Sequence, residues 1–150
     1  MTSKRAKKAV AQKNKQIHTA INPNSSLHQH PAWHFSRRDM DHPEWGWNTI
    51  SGEDFHELIS QHLACFETMT WSQILEVSGG KSKGTHHHSI NIHQCSKDAQ
   101  RRLAELKLDN IPALFSLRIN NKKRIWGIKE GHLLRLLWID KQHSVYPSHD

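Results

Sequence analysis

Cysteine is nearly missing from the chain: Cys65 and Cys95 are the only two in 150 residues, too few for a disulfide framework. Long apolar runs are missing too. No stretch approaches the ~18 apolar residues of a membrane helix. The basic N-terminus leads into "AVAQKNKQIHTA", which polar residues break too often for a signal-peptide core. A reduced cytoplasmic protein with no membrane partner is the expectation. Apolar residues are scarce overall, at 35% with a mean hydropathy of -0.77. Part of that scarcity comes from a polar leader that need not fold.

Acids are absent from residues 1 to 15, where Lys4, Arg5, Lys7, Lys8, Lys13 and Lys15 carry six of the seven net positive charges. Residues 31 to 77 reverse the balance, with Asp39, Asp41, Glu44, Glu53, Asp54, Glu57, Glu67 and Glu76 against Arg37 and Arg38. Residues 111 to 150 are basic again, with seven Lys and Arg against Glu130, Asp140 and Asp150. A chain polarised in this way, acidic early and basic late, suits a polyanion at its basic end. For any one lysine the plainer reading is a solvated surface.

Residues 1 to 30 offer little to bury and are expected to form a disordered basic tail that serves solubility or loose polyanion attraction. Residues 31 to 150 then make a single domain. Its first segment, "WHFSRRDMDHPEWGW", predicts a short strand and a Pro/Gly turn. In "SGEDFHELISQHLACF" the residues Phe55, Leu58, Ile59, Leu63 and Phe66 form one helical stripe, with Ser51 as N-cap. A second helix opens at Thr70 with a capping box to Gln73 and buries Trp71, Ile74 and Leu75. After the loop "SGGKSKG", a strand "SINIH" leads to a third helix from Ser96 to about Leu106, in which Asp98 and Arg102 are spaced for an ion pair.

From Leu114 the period becomes extended. "LFSLRI", "RIWGIK" and "HLLRLLWI" predict three antiparallel strands with turns at Asn120-Asn121 and Glu130-Gly131. Two or three helices laid on one face of that meander give an α+β domain.

His86, His87, His88, His93 and Cys95 crowd into ten positions, yet three consecutive histidines diverge and do not match the paired spacing of zinc sites. A polar loop leading into a strand is the favoured reading, with no metal site. Trp71, Trp126 and Trp138 lie on apolar periodicity; Trp33, Trp45 and Trp47 lie in a turn-rich stretch where base stacking competes with core packing, and core packing is favoured. Arg118, Arg124 and Arg135 are harder to explain, because they interrupt apolar strands where a guanidinium needs a partner or a wet cleft. Whether Arg118 and Arg124 share a face depends on the register of the intervening turn.

The blocks "AQRRLAEL", "LFSLRI", "KRIWGIKEGHLLRLLWID" and "HSVYP", in that order, resemble the RelE/ParE-like toxin superfamily. The resemblance covers about residues 69 to 147 and is best spaced from residue 114 onward. It implies N-terminal helices packed on a C-terminal antiparallel meander, a toxin of a toxin-antitoxin system, and an mRNA endoribonuclease that activates a ribose 2′-hydroxyl against the adjacent phosphate. The matching catalytic positions are Arg118 and Arg124 for the phosphate, with His143 and Tyr146 for proton transfer or base stacking. Lys122, Lys123, Lys129, Arg135 and Lys141 would hold flanking RNA. The implied partners are mRNA, the ribosome and a cognate antitoxin, and no cofactor is implied. Superfamily toxins are usually shorter, and the tail and acidic region before Glu67 have no counterpart in them. The alternative is a non-catalytic nucleic-acid-binding or regulatory protein of a mobile element. A third reading is a ParE-like inhibitor of a protein target, since members with the same sheet act without these residues.

Overall fold

The computed structural model describes residues 23–77 and 87–147. Within them the expected meander forms: β3 (Ala113–Arg118), β4 (Arg124–Glu130) and β5 (Leu133–Asp140) pair antiparallel in sequence. Two further strands extend it. β2 (His87–Asn91) pairs antiparallel with β3, and β1 (Ala32–His34) pairs parallel with β5, giving the order β1-β5-β4-β3-β2. The sheet is therefore mixed rather than a pure meander. The β4-β5 connection is Gly131-His132, with Gly131 at φ +61, where glycine avoids the Cβ penalty of the left-handed region.

Both faces of the sheet are covered, which corrects the expectation of helices on one side. One face buries Phe115, Leu117, Ile125, Leu134, Leu136 and Ile139 against Leu58, Leu63, Trp71 and Ile74. These come from α1 (Gly52–Glu57), the π-helical turn Leu58–Leu63 that continues it, α2 (Ala64–Glu67) and α3 (Trp71–Val77). The other face buries Ile90, Leu114, Trp126, Leu137 and Trp138 against Ala99 and Leu103 of α4 (Lys97–Glu105). The central strands are near-continuous buried runs rather than alternating ones, as burial on both faces demands.

The caps form as expected. Ser51 accepts from the Asp54 N–H, Thr70 and Gln73 bond reciprocally, and Ser96 accepts from the Ala99 N–H. Two helical details differ. The π turn changes the helical phase, so Leu58 and Leu63, five apart, are buried while Ile59 is exposed. Asp98 pairs with Arg101 at 2.8 Å, and Arg102 turns instead to Asp39 and Glu105.

Packing begins before residue 30. Pro23–His28 forms a 3-10 turn, Leu27 packs against the sheet, and Trp71 N–H donates to the Gln29 carbonyl. Leu27 is the apolar residue that the polar composition of this segment hides. The remainder of the expected tail, residues 1 to 22, lies outside the described residues.

Trp45, Trp47, Trp71, Trp126 and Trp138 are all buried, each contributing roughly 4 kcal/mol of transfer free energy. Trp45 and Trp47 thus belong to the core, not to a stacking surface. Their stretch runs beside β5: Asp39 N–H donates to the Leu137 carbonyl, and Ile139 N–H to that of Trp45.

Candidate nucleic-acid interface

Register decides the question left open by the sequence. Arg118 is the direct partner of Arg124, and Arg124 is the direct partner of Asp140, so the three side chains share one face at one end of the sheet. That is the face of Trp126, Trp138 and α4. The β3-β4 connection, residues 119 to 123, is held by Asn120, whose Oδ1 accepts from the N–H groups of Lys122 and Lys123.

Both guanidiniums bind that connection from behind. Arg124 Nη1 donates to the Asn120 carbonyl at 2.7 Å and to that of Lys123 at 3.2 Å. Arg118 Nε donates to the Asn120 carbonyl at 3.2 Å, and its Nη2 to Asn121 Oδ1 at 2.9 Å. A guanidinium has five N–H donors. Among the described residues each guanidinium makes two hydrogen bonds, fewer than its donors allow. Among the described residues neither arginine has a carboxylate within ion-pair distance. Burial, and then the neighbouring Arg118 charge, push the Arg124 guanidinium below its ordinary pKa, while Asp140 pulls it back up. Arg124 is buried at 9% exposure and Arg118 is half-buried, and two guanidiniums facing one another favour a nearby anion.

Asp140 is fully buried and is absent from the residues singled out in the sequence. Its Oδ1 accepts from Gln142 N–H and Ser144 N–H, and its Oδ2 from Val145 N–H and Trp126 Nε1. The signal was there: an Asp closing a strand before polar residues, able to accept from the backbone two and four positions on. The turn around this carboxylate carries His143, which has φ +59 and a buried Nδ1 with no hydrogen-bond partner among the described residues. Beyond it, Val145 and the half-buried Tyr146 pack into the α4-side core, and the Val145 carbonyl accepts from Ser96 N–H. Register thus brings Arg118 and Arg124 together at the sheet end where Asp140 starts the turn carrying His143, whereas Tyr146 is placed only by its packing into the α4-side core.

Lys129, Arg135 and Lys141 do not join the arginine pair. Lys129 and Arg135 lie toward the Gly131 tip; Lys129 is five residues along β4 from Arg124, about 17 Å of strand. Lys129 Nζ donates to the Gly131 carbonyl and sits 4.5 Å from the Trp71 ring centre, and burial pushes its pKa down. Arg135 pairs with Glu130 at 2.9 Å. Lys141 Nζ donates to the Thr49 carbonyl. Both remaining lysines belong to the loop that the arginines bind: Lys123 lines a small cleft with Asp54, Glu57 and His62, whereas Lys122 is exposed.

His87 opens β2 and is buried, and its Nδ1 accepts from the Arg118 N–H at 3.0 Å, so one member of the histidine cluster finishes the sheet beside the arginines. His86 lies outside the described residues. Among the described residues no three His, Cys, Asp or Glu side chains converge on a possible metal position. No described helix is long and apolar enough to cross a membrane. Comparison with family models, with curated proteins and with solved structures gives no match.

Proposed function

We propose that the chain is a RelE-like toxin of a toxin-antitoxin system, acting on mRNA as an endoribonuclease and held inactive by a cognate antitoxin. The observation that supports this most is the in-register Arg118–Arg124 pair, whose guanidiniums have donors to spare and no ion-paired acid among the described residues. In the proposed reaction the ribose 2′-oxygen attacks the adjacent phosphorus and the bond to the 5′-oxygen breaks. The products are a 2′,3′-cyclic phosphate and a 5′-hydroxyl. The arginines stabilise the charge that gathers on the phosphorane oxygens, the largest electrostatic demand of the step. His143 and Tyr146 serve the two proton transfers, from the 2′-hydroxyl and to the 5′-oxygen.

A second reading, a non-catalytic nucleic-acid-binding protein, is favoured by one feature: both arginines also brace their own loop, and Tyr146 packs into the core. Induced expression separates the two. The toxin reading expects growth arrest and new mRNA 5′ ends, both absent for Arg124→Gln. Normal growth with intact mRNA, at verified expression of folded protein, rules it out and leaves the binding reading.

A further inference from the structure

We propose that Asp140 is a positioning residue for RNA cleavage: it fixes the turn that carries His143 and balances the Arg118–Arg124 charge without consuming the arginines' donors. The catalytic half of this inference rests on the ribonuclease reading above.

A fully buried carboxylate is unfavourable unless its lone pairs are filled and its charge is balanced. Asp140 fills its lone pairs with the N–H groups of Gln142, Ser144 and Val145 and the Trp126 indole, at 2.9 to 3.3 Å. The Ser144 hydroxyl lies 3.3 Å from Oδ1 and 3.1 Å from Glu44 Oε2, and accepts from Trp45 Nε1 at 2.8 Å. With one proton, that hydroxyl serves one of the two carboxylates at a time.

A cap for this turn needs acceptors; it does not need a negative charge. The charge acquires a use in the row Arg118–Arg124–Asp140. An acid free to form a two-point ion pair with Arg124 would take the N–H groups that a phosphate needs. Asp140 is already saturated by the turn, so it offsets the paired cations electrostatically and leaves those N–H groups open.

The same turn holds His143 at φ +59, uncommon outside glycine though His adopts it more readily than most, with Nδ1 buried and without a partner among the described residues. Both features depend on the turn that Asp140 caps, so the placement of the His143 ring follows that carboxylate.

Asp140→Asn tests the proposal. It keeps the shape, removes the charge and turns an amide NH₂ toward N–H donors. Single-turnover cleavage at saturating RNA is expected to fall about 100-fold, while affinity for RNA with a 2′-deoxy substitution at the cut holds or tightens, because a nearby negative charge is gone. A residue that only supports the fold would weaken both together, and that joint loss overturns the proposal. If Asp140→Asn does not fold, Trp126→Phe frees one Oδ2 lone pair, which then claims an Arg124 N–H; RNA affinity should drop about tenfold. Unchanged affinity in folded Trp126→Phe overturns the charge-balancing role. If the natural protein does not cleave RNA, the ribonuclease reading falls by itself. The ¹⁵N-imidazole signals of His143 still judge the turn: they should shift in Asp140→Asn, and unchanged signals overturn its positioning role.

Discussion

Arg102 grips Asp39 at two points, Nε to Oδ2 and Nη2 to Oδ1, both at 2.8 Å and across 63 residues of sequence. Trp138 Nε1 adds a third bond to Oδ2 at 2.8 Å. The contact ties α4 to the stretch beside β5, and so fixes the layer that covers the arginine face.

Asp39→Ala should therefore lose about 3 kcal/mol of unfolding free energy, the lower part of the range for breaking a buried pair, because Arg102 keeps Glu105 and partial solvent access. Urea unfolding measures it. A loss below about 1 kcal/mol would mean that the grip is incidental.

The same carboxylate predicts a pH dependence. Burial alone would raise its pKa, but the bonds from Arg102, Trp138 and the Asp41 N–H, with the Arg102 charge, hold it at about 2 against an ordinary 3.8. A depressed folded pKa gives stability that is complete above the ordinary value and lost as pH falls through about 2. The contribution is about 2 kcal/mol. The stability gap between the natural protein and Asp39→Asn should narrow between pH 4 and pH 2; a gap that stays constant there contradicts the assignment.

Gly127→Ala probes the close approach of β4 and β5. A Cβ at this position would collide with the Arg135 carbonyl oxygen, a backbone atom unable to swing aside, next to the register shift between Trp126 and Gly127. A loss of about 3 kcal/mol is expected in thermal or urea unfolding. Natural stability in this variant would show that the strands separate easily.

Much of the fold was legible because it is local. Alternation in "LFSLRI", "RIWGIK" and "HLLRLLWI", with turn residues between them, marks three strands, and Ser51, Thr70 and Ser96 mark helix starts. The rest depends on distant partners. The three residues of β1 carry too little pattern to announce a parallel pairing, and nothing near Asp39 points to Arg102. The π turn leaves no periodic sign, so Ile59 read as part of the buried stripe. At the site the arginines stood out by interrupting apolar strands, but their common face came from register alone. Asp140 escaped notice because a lone acid at a strand end reads as solvated until its four donors are seen.

The most direct measurement of the central claim is the salt dependence of binding to a short single-stranded RNA, followed by fluorescence anisotropy for the natural protein and for Arg118→Gln/Arg124→Gln. If the paired arginines hold phosphates, affinity falls and the slope of log K against log salt becomes shallower by about 1.4, the single-strand value for two lost contacts. An unchanged slope, with the fold intact by circular dichroism, would show that RNA does not bind at this end of the sheet and would contradict the account.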